Sequence, residues 1–283
     1  METAGVFSKE LPMALHENNG TRECVEALLE MLDKSHNRGT AYHVHDDTLY
    51  NQAMLNTTFV EWLYDRGDME LFNDKKELMI RIGRAMSINS MDELTAIIND
   101  SNSFLIGNQD SYKFVWCVDD FFTFKQYQLK QIASRDLFAQ ELQNCYKNLF
   151  FDEKIQNTIN TLETNFRDIR NLLIEHLHKL DKHYDDLCKI RSGEGYNSEL
   201  ISDEFTRLSG IECAPQTDRD KLDALRREYV NSTTQKKETL VCELHTKFPK
   251  INQHWISDRI YFHLGKAGIH DGKIIIAHIG RHE

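Results

Sequence analysis

Apolar residues recur along this chain at two different intervals, and each interval predicts a different element. Near the N-terminus Cys24, Val25, Leu28, Leu29 and Leu32 step by three and four, the interval that lines one face of a helix. Asn18-Asn19-Gly20 reads as the turn before that helix and Thr21 as its capping hydroxyl. The helix is expected to stop near Asn37-Arg38-Gly39. Ala4 to Ser8 and Ala41 to His45 read as strands on either side of it, and Leu49 to Tyr64 and Asp74 to Met86 as helices. Ser90 and Glu93 have the spacing of a capping box that opens a short helix through Ile98. Ser103 to Ile106 and Tyr112 to Val118 are apolar and β-prone. Strands among helices predict an N-terminal α/β or helical domain over residues 1–133.

The middle of the chain keeps helical spacing for much longer. Phe138, Leu142, Cys145 and Leu149 make a stripe within Ser134 to Phe151. Ile155, Ile159, Leu162, Phe166, Ile169, Leu173, Leu177, Leu180, Tyr184 and Leu187 then continue it, with no Gly or Pro between Asp152 and Arg191. A stripe this long wants a helical partner. The expectation is a long helical hairpin over 134–191, with coiled-coil pairing into a homodimer through the 152–191 helix as the alternative. Ser192 to Ser198, with two glycines, reads as a boundary. Glu199 to Leu208 reads as a helix, Ser209 to Gln216 as a loop, and Thr217 as the cap of a helix through Val230.

In the last stretch the interval changes to two. Leu240, Cys242, Leu244 and Phe248 alternate with Glu243, His245 and Lys247, and Ile260, Phe262 and Leu264 alternate with Arg259, Tyr261 and His263. Successive strand side chains point to opposite faces, so polar groups are expected together on one surface. Lys273 to Ile279 is apolar on both sides, as a central strand is, and Gly265 to Gly272 reads as the connection before it. The expected fold is α+β: a mostly helical body with a long central helix pair, and a small C-terminal antiparallel sheet within a domain over 199–283.

Composition and charge sharpen this picture. With 283 residues and 40% apolar content, the chain can fill one large core or two ordinary ones. Its net charge is −11, which disfavours long-range attraction to nucleic acid or an anionic membrane by the whole molecule. The charge is uneven. Over Lys236 to Glu283 eight Lys and Arg stand against five Asp and Glu, a local net of +3 that leaves −14 on the rest, and six of the thirteen histidines lie there. The tail is thus the part suited to phosphate. Six scattered cysteines without C-x-x-C spacing fit reduced thiols in a cytoplasmic protein. The N-terminus lacks the order of a signal peptide, and no run reaches the ~20 apolar residues of a membrane span, so no membrane partner is expected.

Two acidic pairs, Asp46-Asp47 and Asp119-Asp120, follow candidate strands. Carboxylates at strand ends can hold a divalent metal for nuclease chemistry; helix capping at a strand-to-helix junction explains both pairs more simply. His43 and His45 share a strand face and read as surface histidines. His278 and His282 have i, i+4 spacing, but Gly280 and the preceding isoleucines argue against a helical zinc site. No metal site and no cofactor are expected.

The order of two helices, Glu243-Leu244-His245, Asp258-Arg-Ile-Tyr-Phe262 and Lys273-Ile-Ile-Ile-Ala-His-Ile-Gly280 resembles the C-terminal half of the RelE/ParE toxin superfamily, closest to its HigB-like or phage-encoded branch. The resemblance covers about the last 85 residues of the sequence. It implies a RelE-like sheet whose basic, His and Tyr side chains cut messenger RNA on the ribosome without metal; ParE relatives inhibit gyrase instead. Arg259 and Tyr261 fit the family's second-strand pair, His245 the basic position after Glu-Leu, and His278 to His282 the catalytic or substrate-binding end. The family's sheet opens with a strand, and none is read before Glu199. The long N-terminal portion implies a fused sensor or neutralising domain of an antiviral defence or toxin-antitoxin system, with RNA or the ribosome and an antitoxin or other defence subunit as partners.

The residues themselves suit that chemistry. RNA cleavage without metal needs a base for the ribose 2′-hydroxyl, an acid for the leaving 5′-oxygen and a cation beside phosphorus. His263, His278, His282 and Tyr261 are the candidate catalytic groups, and Arg259, Lys247, His245 and Arg281 the candidate substrate-binding ones. The competing expectation is a non-catalytic interaction or scaffold protein that dimerises or docks a partner through its long helix.

Overall fold

The N-terminal apolar runs form a parallel sheet wrapped by helices. In chain order they give β1 (Thr3–Phe7), α1 (Leu11–Glu17), α2 (Arg22–His36), β2 (Thr40–Val44), β3 (Ala53–Met54), β4 (Thr57–Thr58), α3 (Phe59–Tyr64), α4 (Met69–Gly83), β5 (Met86–Ser87), α5 (Met91–Asn99), β6 (Ser103–Ile106) and α6 (Val118–Leu129). The sheet order is β5-β2-β1-β6, parallel throughout. Parallel neighbours need a crossover, and α2 makes it between β1 and β2. Thr21 caps α2 by accepting from the Cys24 amide at 3.4 Å. Val25, Leu28 and Leu32 pack with Phe7 and Phe104. Gly107 has φ +96°, and a Cβ there would lie 2.3 Å from Leu11 Cα, so only glycine lets the chain leave β6 so close to α1. The helix expected over Leu49 to Tyr64 is interrupted by the β3–β4 pair. Thr58 and Glu61 then cap α3 reciprocally.

A computed structural model of the protein describes residues 3–282 apart from 18–19, 45–48, 55–56, 89, 101, 108–112, 195 and 252. The chain divides into two units, Met1–Gln128 and Leu129–Glu283. The helices expected to stand apart over 134–191 therefore belong with the C-terminal strands, and the expected boundary at 192–198 falls inside one unit.

That second unit runs α7 (Arg135–Cys145), β7 (Leu149–Phe151), α8 (Ile155–Thr158), α9 (Phe166–Lys182), α10 (Tyr184–Glu194), α11 (Ser198–Ser209), β8 (Cys213–Pro215), α12 (Arg219–Leu222), β9 (Arg226–Val230), β10 (Lys237–Val241), β11 (Leu244–Lys247), β12 (Arg259–His263) and β13 (Ile274–Gly280). Five strands form one sheet in the order β7-β13-β12-β11-β8. All neighbours are antiparallel except β7 and β13. Among the described residues, strands β9 and β10 pair only with each other. The protein is thus mixed α/β in both units.

The expected long helix pair does not form. Leu149–Phe151 leaves the helical path to become an edge strand beside Ile274–Ile276, because Leu149 and Phe151 can be buried there. The chain breaks again before α9. Asp258, fully buried, accepts the Glu163 and Thr164 amides at 2.9 Å each, and Asn165 caps α9 through the Arg167 amide. Ile169, Leu173, Leu177, Leu180 and Leu187 are 0% exposed within the single chain. The stripe is covered by the unit itself, which removes it as the seam of a coiled-coil homodimer.

Two further expectations are corrected. Thr217 to Val230 is not a helix beyond the short α12 and the turn that follows it; Arg227 and Tyr229 instead alternate on β9. The run Leu240 to Phe248 is two strands, parted at Cys242, whose amide donates to Leu225 O at 3.0 Å. Thr246, Ile260 and Phe262 face the helices: His176 Nδ1 of α9 meets Thr246 Oγ1 at 2.9 Å, and Phe205 of α11 meets Phe262 with ring centroids 6.1 Å apart. On the other face the β9–β10 hairpin covers Ile275 and Ala277 with Leu240 and Cys242. No helix among the described residues is long and apolar enough to cross a membrane.

Candidate functional site

Strands β11, β12 and β13 lie side by side, and their register brings polar residues into a row. His245 is opposite Tyr261, and Tyr261 is opposite His278. The His245 and Tyr261 rings are 5.0 Å apart between centroids, and the Tyr261 and His278 rings 5.6 Å. His282 joins them from beyond the strand end, 5.7 Å from His245 and 6.2 Å from Tyr261. The next row holds Lys247, Arg259 and Gly280.

A β-bulge delivers His278 to this row. Between Tyr261 and Phe262 the partner shifts from His278 to Ile276, so Ala277 is the extra residue. A bulge turns the following side chain relative to a regular strand; without it Ala277 would stand opposite Tyr261. Arg227 holds the bulge by donating from Nη2 to Ala277 O at 3.0 Å. Its Nε faces Asp152 Oδ1 at 3.4 Å as an ion pair lacking hydrogen-bond geometry, and Tyr229 Oη donates to Asp152 Oδ2 at 2.6 Å. At the end of β13 the Ile279 and Arg281 amides each donate to a threonine, Thr158 and Thr161, at 3.2 Å. A Cβ on Gly280 would lie 2.2 Å from Thr161 Oγ1, so only glycine allows this approach.

The row is covered, contrary to the solvated face that alternation predicts. Tyr261 is 0% exposed, His278 2% and His245 4%; Arg259, Lys247 and His282 are half-buried, and only Arg281 is exposed. Alternation shows which side chains share a face, not whether something lies over it. Gln216 reaches in from the loop after β8, its amide Nε2 3.4 Å from Tyr261 Oη. His278 Nε2 donates to the Arg281 carbonyl at 2.9 Å, which fixes the proton on that nitrogen. His282 is half-buried where the other three rings are buried.

Two buried nitrogens, His245 Nδ1 and Arg259 Nε, have no hydrogen-bond partner among the described residues. Arg259 uses Nη1 on the Ile256 and Asp258 carbonyls at 2.8 and 2.7 Å. Burial, and next the Arg259 charge, pull the His245 pKa down to about 4, so at neutral pH it is an uncharged imidazole. Burial also lowers Arg259 from its ordinary value.

The remaining candidates lie elsewhere or are engaged. His263 is outside the cluster: its ring stacks on Tyr196 at 4.2 Å, and its Nδ1 accepts the Gly265 amide at 3.0 Å. Lys247 is ion-paired with Glu212. Asp120 Oδ2 accepts the Trp116 and Cys117 amides at 3.0 and 3.1 Å, a turn role that accounts for one member of the second acidic pair, and no group of His, Cys, Asp and Glu among the described residues is arranged to hold a metal. His45, Asp46 and Asp47 lie outside the described residues. Gln216, Thr158 and Thr161 were not legible as site residues, since nothing in their local sequence marks them.

Neutral imidazole, phenol, a second imidazole with a fixed proton and a half-buried guanidinium make a set suited to proton transfer beside an anion. No protein-family model, curated protein or solved structure matches this chain.

Proposed function

We propose that the C-terminal unit is a toxin-type effector that cleaves RNA, and thereby stops translation, through the His245–Tyr261–His278 row. The observation that carries this reading is the joining of these residues from three neighbouring strands, with His282 and Arg259 beside them.

In this proposal the 2′-oxygen of the substrate attacks phosphorus and His245 takes its proton. The bond from phosphorus to the 5′-oxygen breaks, and His278, entering the step protonated on both ring nitrogens, gives that oxygen a proton from Nε2 and is left a neutral imidazole. Arg259, with Arg281 and His282 at the rim, offsets charge on the phosphorane, and Tyr261 orients the non-bridging oxygens. His263 takes no part in this step. The phosphate enters when Arg281 and His282 turn outward, which breaks the His278–Arg281 and Arg281–Thr161 hydrogen bonds. At about 1 kcal/mol each, these leave the open form accessible.

The interaction reading loses its main surface, because the helical stripe is buried within the chain. Induced expression in bacteria separates the two. Wild type is expected to arrest growth, and Arg259→Ala combined with His278→Ala to restore it at equal soluble level. A harmless wild type would favour a non-catalytic partner-binding role.

A further inference from the structure

The row of His245 and Tyr261 has a neighbour on the same face. Tyr261 and His263 are two apart on β12, hence on one side and roughly 7 Å apart. Carrying the β11–β12 register one residue further sets Glu243 opposite His263. These two line a cavity of about 490 Å³ together with Tyr196, Leu240, Arg191 and Lys266, a size within the range of small-molecule sites.

The lining is specific in its chemistry. Tyr196 lies flat on His263, with 3° between ring planes, and remains 38% exposed, so a backed aromatic surface borders the cavity. Aromatic surfaces of this kind stack nucleobases. Leu240 supplies an apolar wall. Glu243 is half-buried and held by Ser198, whose hydroxyl donates to Oε1. A carboxylate has two oxygens that can accept in parallel, and among the common bases guanine presents two adjacent N–H donors, N1–H and N2–H, to match them. Arg191 uses Nη1 on the Leu264 and Gly272 carbonyls, and a guanidinium has five donors in all. With exposed Lys266, which also pairs with Glu238, it brings positive charge to the cavity.

We propose that this cavity holds a guanine base of an RNA strand whose adjoining phosphate lies on the His245–Tyr261–His278 row. The proposal rests on reading that row as an RNA-cleaving site, and adds the base that the site selects. The base stacks on Tyr196, its Watson–Crick edge meets Glu243, and the phosphate on its other side faces Arg191 and Lys266.

The test is binding, so that it does not depend on cleavage. The full chain is titrated with 2′-O-methyl oligouridine hexamers carrying one central G, A or C, and with GMP. The G-containing hexamer is expected to bind at least ten-fold tighter than the others and than GMP. Tyr196→Ala should weaken it ten-fold or more and Tyr196→Phe little, while Glu243→Gln should remove the preference for G and retain the fold by thermal melting. Absence of binding, equal affinity for all bases, a preference for another base, or indifference to Tyr196→Ala would each overturn the proposal. GMP binding as tightly as the hexamer would assign the cavity to a free nucleotide and overturn its place on RNA. If the G-containing hexamer binds as expected but its 2′-hydroxyl counterpart is not cut, the guanine site stands and the cleavage reading falls.

Discussion

Replacing Arg227 with methionine is expected to cost the C-terminal unit about 3–5 kcal/mol, the loss typical when one partner of a buried ion pair is removed. Arg227 and Asp152 are each 6% exposed. Without the guanidinium, Asp152 keeps the Tyr229 hydroxyl and the Lys154 amide, but its charge stays buried with no cation against it. The Ala277 carbonyl at the bulge loses its donor as well. For a unit of this size, the loss corresponds to a melting temperature lower by roughly 6–20 °C. Adding Asp152→Asn should recover part of it, since the buried charge is then gone. The bulge sets where His278 points, so the variant should also impair RNA cleavage at temperatures where it remains folded. Chemical denaturation of the single and double variants measures the first effect; a loss under 1 kcal/mol would show that the bulge does not depend on Arg227.

Acidification is expected to unfold the same unit. Burial lowers the pKa of His176, His245 and His263 to about 4 each, whereas in the unfolded chain each titrates near 6.5. The folded state therefore binds fewer protons between these values, and stability rises with pH across that window. The contribution is fully present above about pH 6.5 and is lost as pH falls toward 4. Each histidine can account for up to ~3 kcal/mol, so together they approach the whole stability of an ordinary domain. Their environments explain the shift: His176 stacks on Phe248 at 4.4 Å, His263 on Tyr196, and His245 sits beside Tyr261. Denaturation of the C-terminal unit followed from pH 7 to 4.5 should show a steep fall, made shallower by His263→Gln. Stability independent of pH over this range would mean that these rings are solvated.

Local signals were legible where local physics decides the outcome. Thr21 starts α2, Ser90 accepts the Glu93 amide at the head of α5, and the alternation at Ile260 to His263 is a strand. What escaped the sequence depends on distant residues. The break before α9 contains neither Gly nor Pro; it is imposed by Asp258, 94 and 95 residues further on. Leu149 to Phe151 continues a helical spacing and becomes a strand only because Ile274 to Ile276 offers an edge. The site was half legible for the same reason. His245, Tyr261 and His278 were all candidates, but the place of His278 depends on a bulge, and the covering of the row on distant residues such as Gln216. His263, with the same local pattern, lies one row further along beneath Tyr196.

Cleavage of RNA in the presence of a chelator tests the role of this row most directly. A long messenger RNA, free and engaged on ribosomes, is incubated with the purified chain in EDTA, and the new ends are identified. The expected products carry 2′,3′-cyclic phosphate and 5′-hydroxyl ends, and His245→Ala and His278→Ala each slow their formation by about 100-fold or more while retaining the fold. Intact RNA under both conditions, or cleavage that these two substitutions leave unchanged, would contradict it.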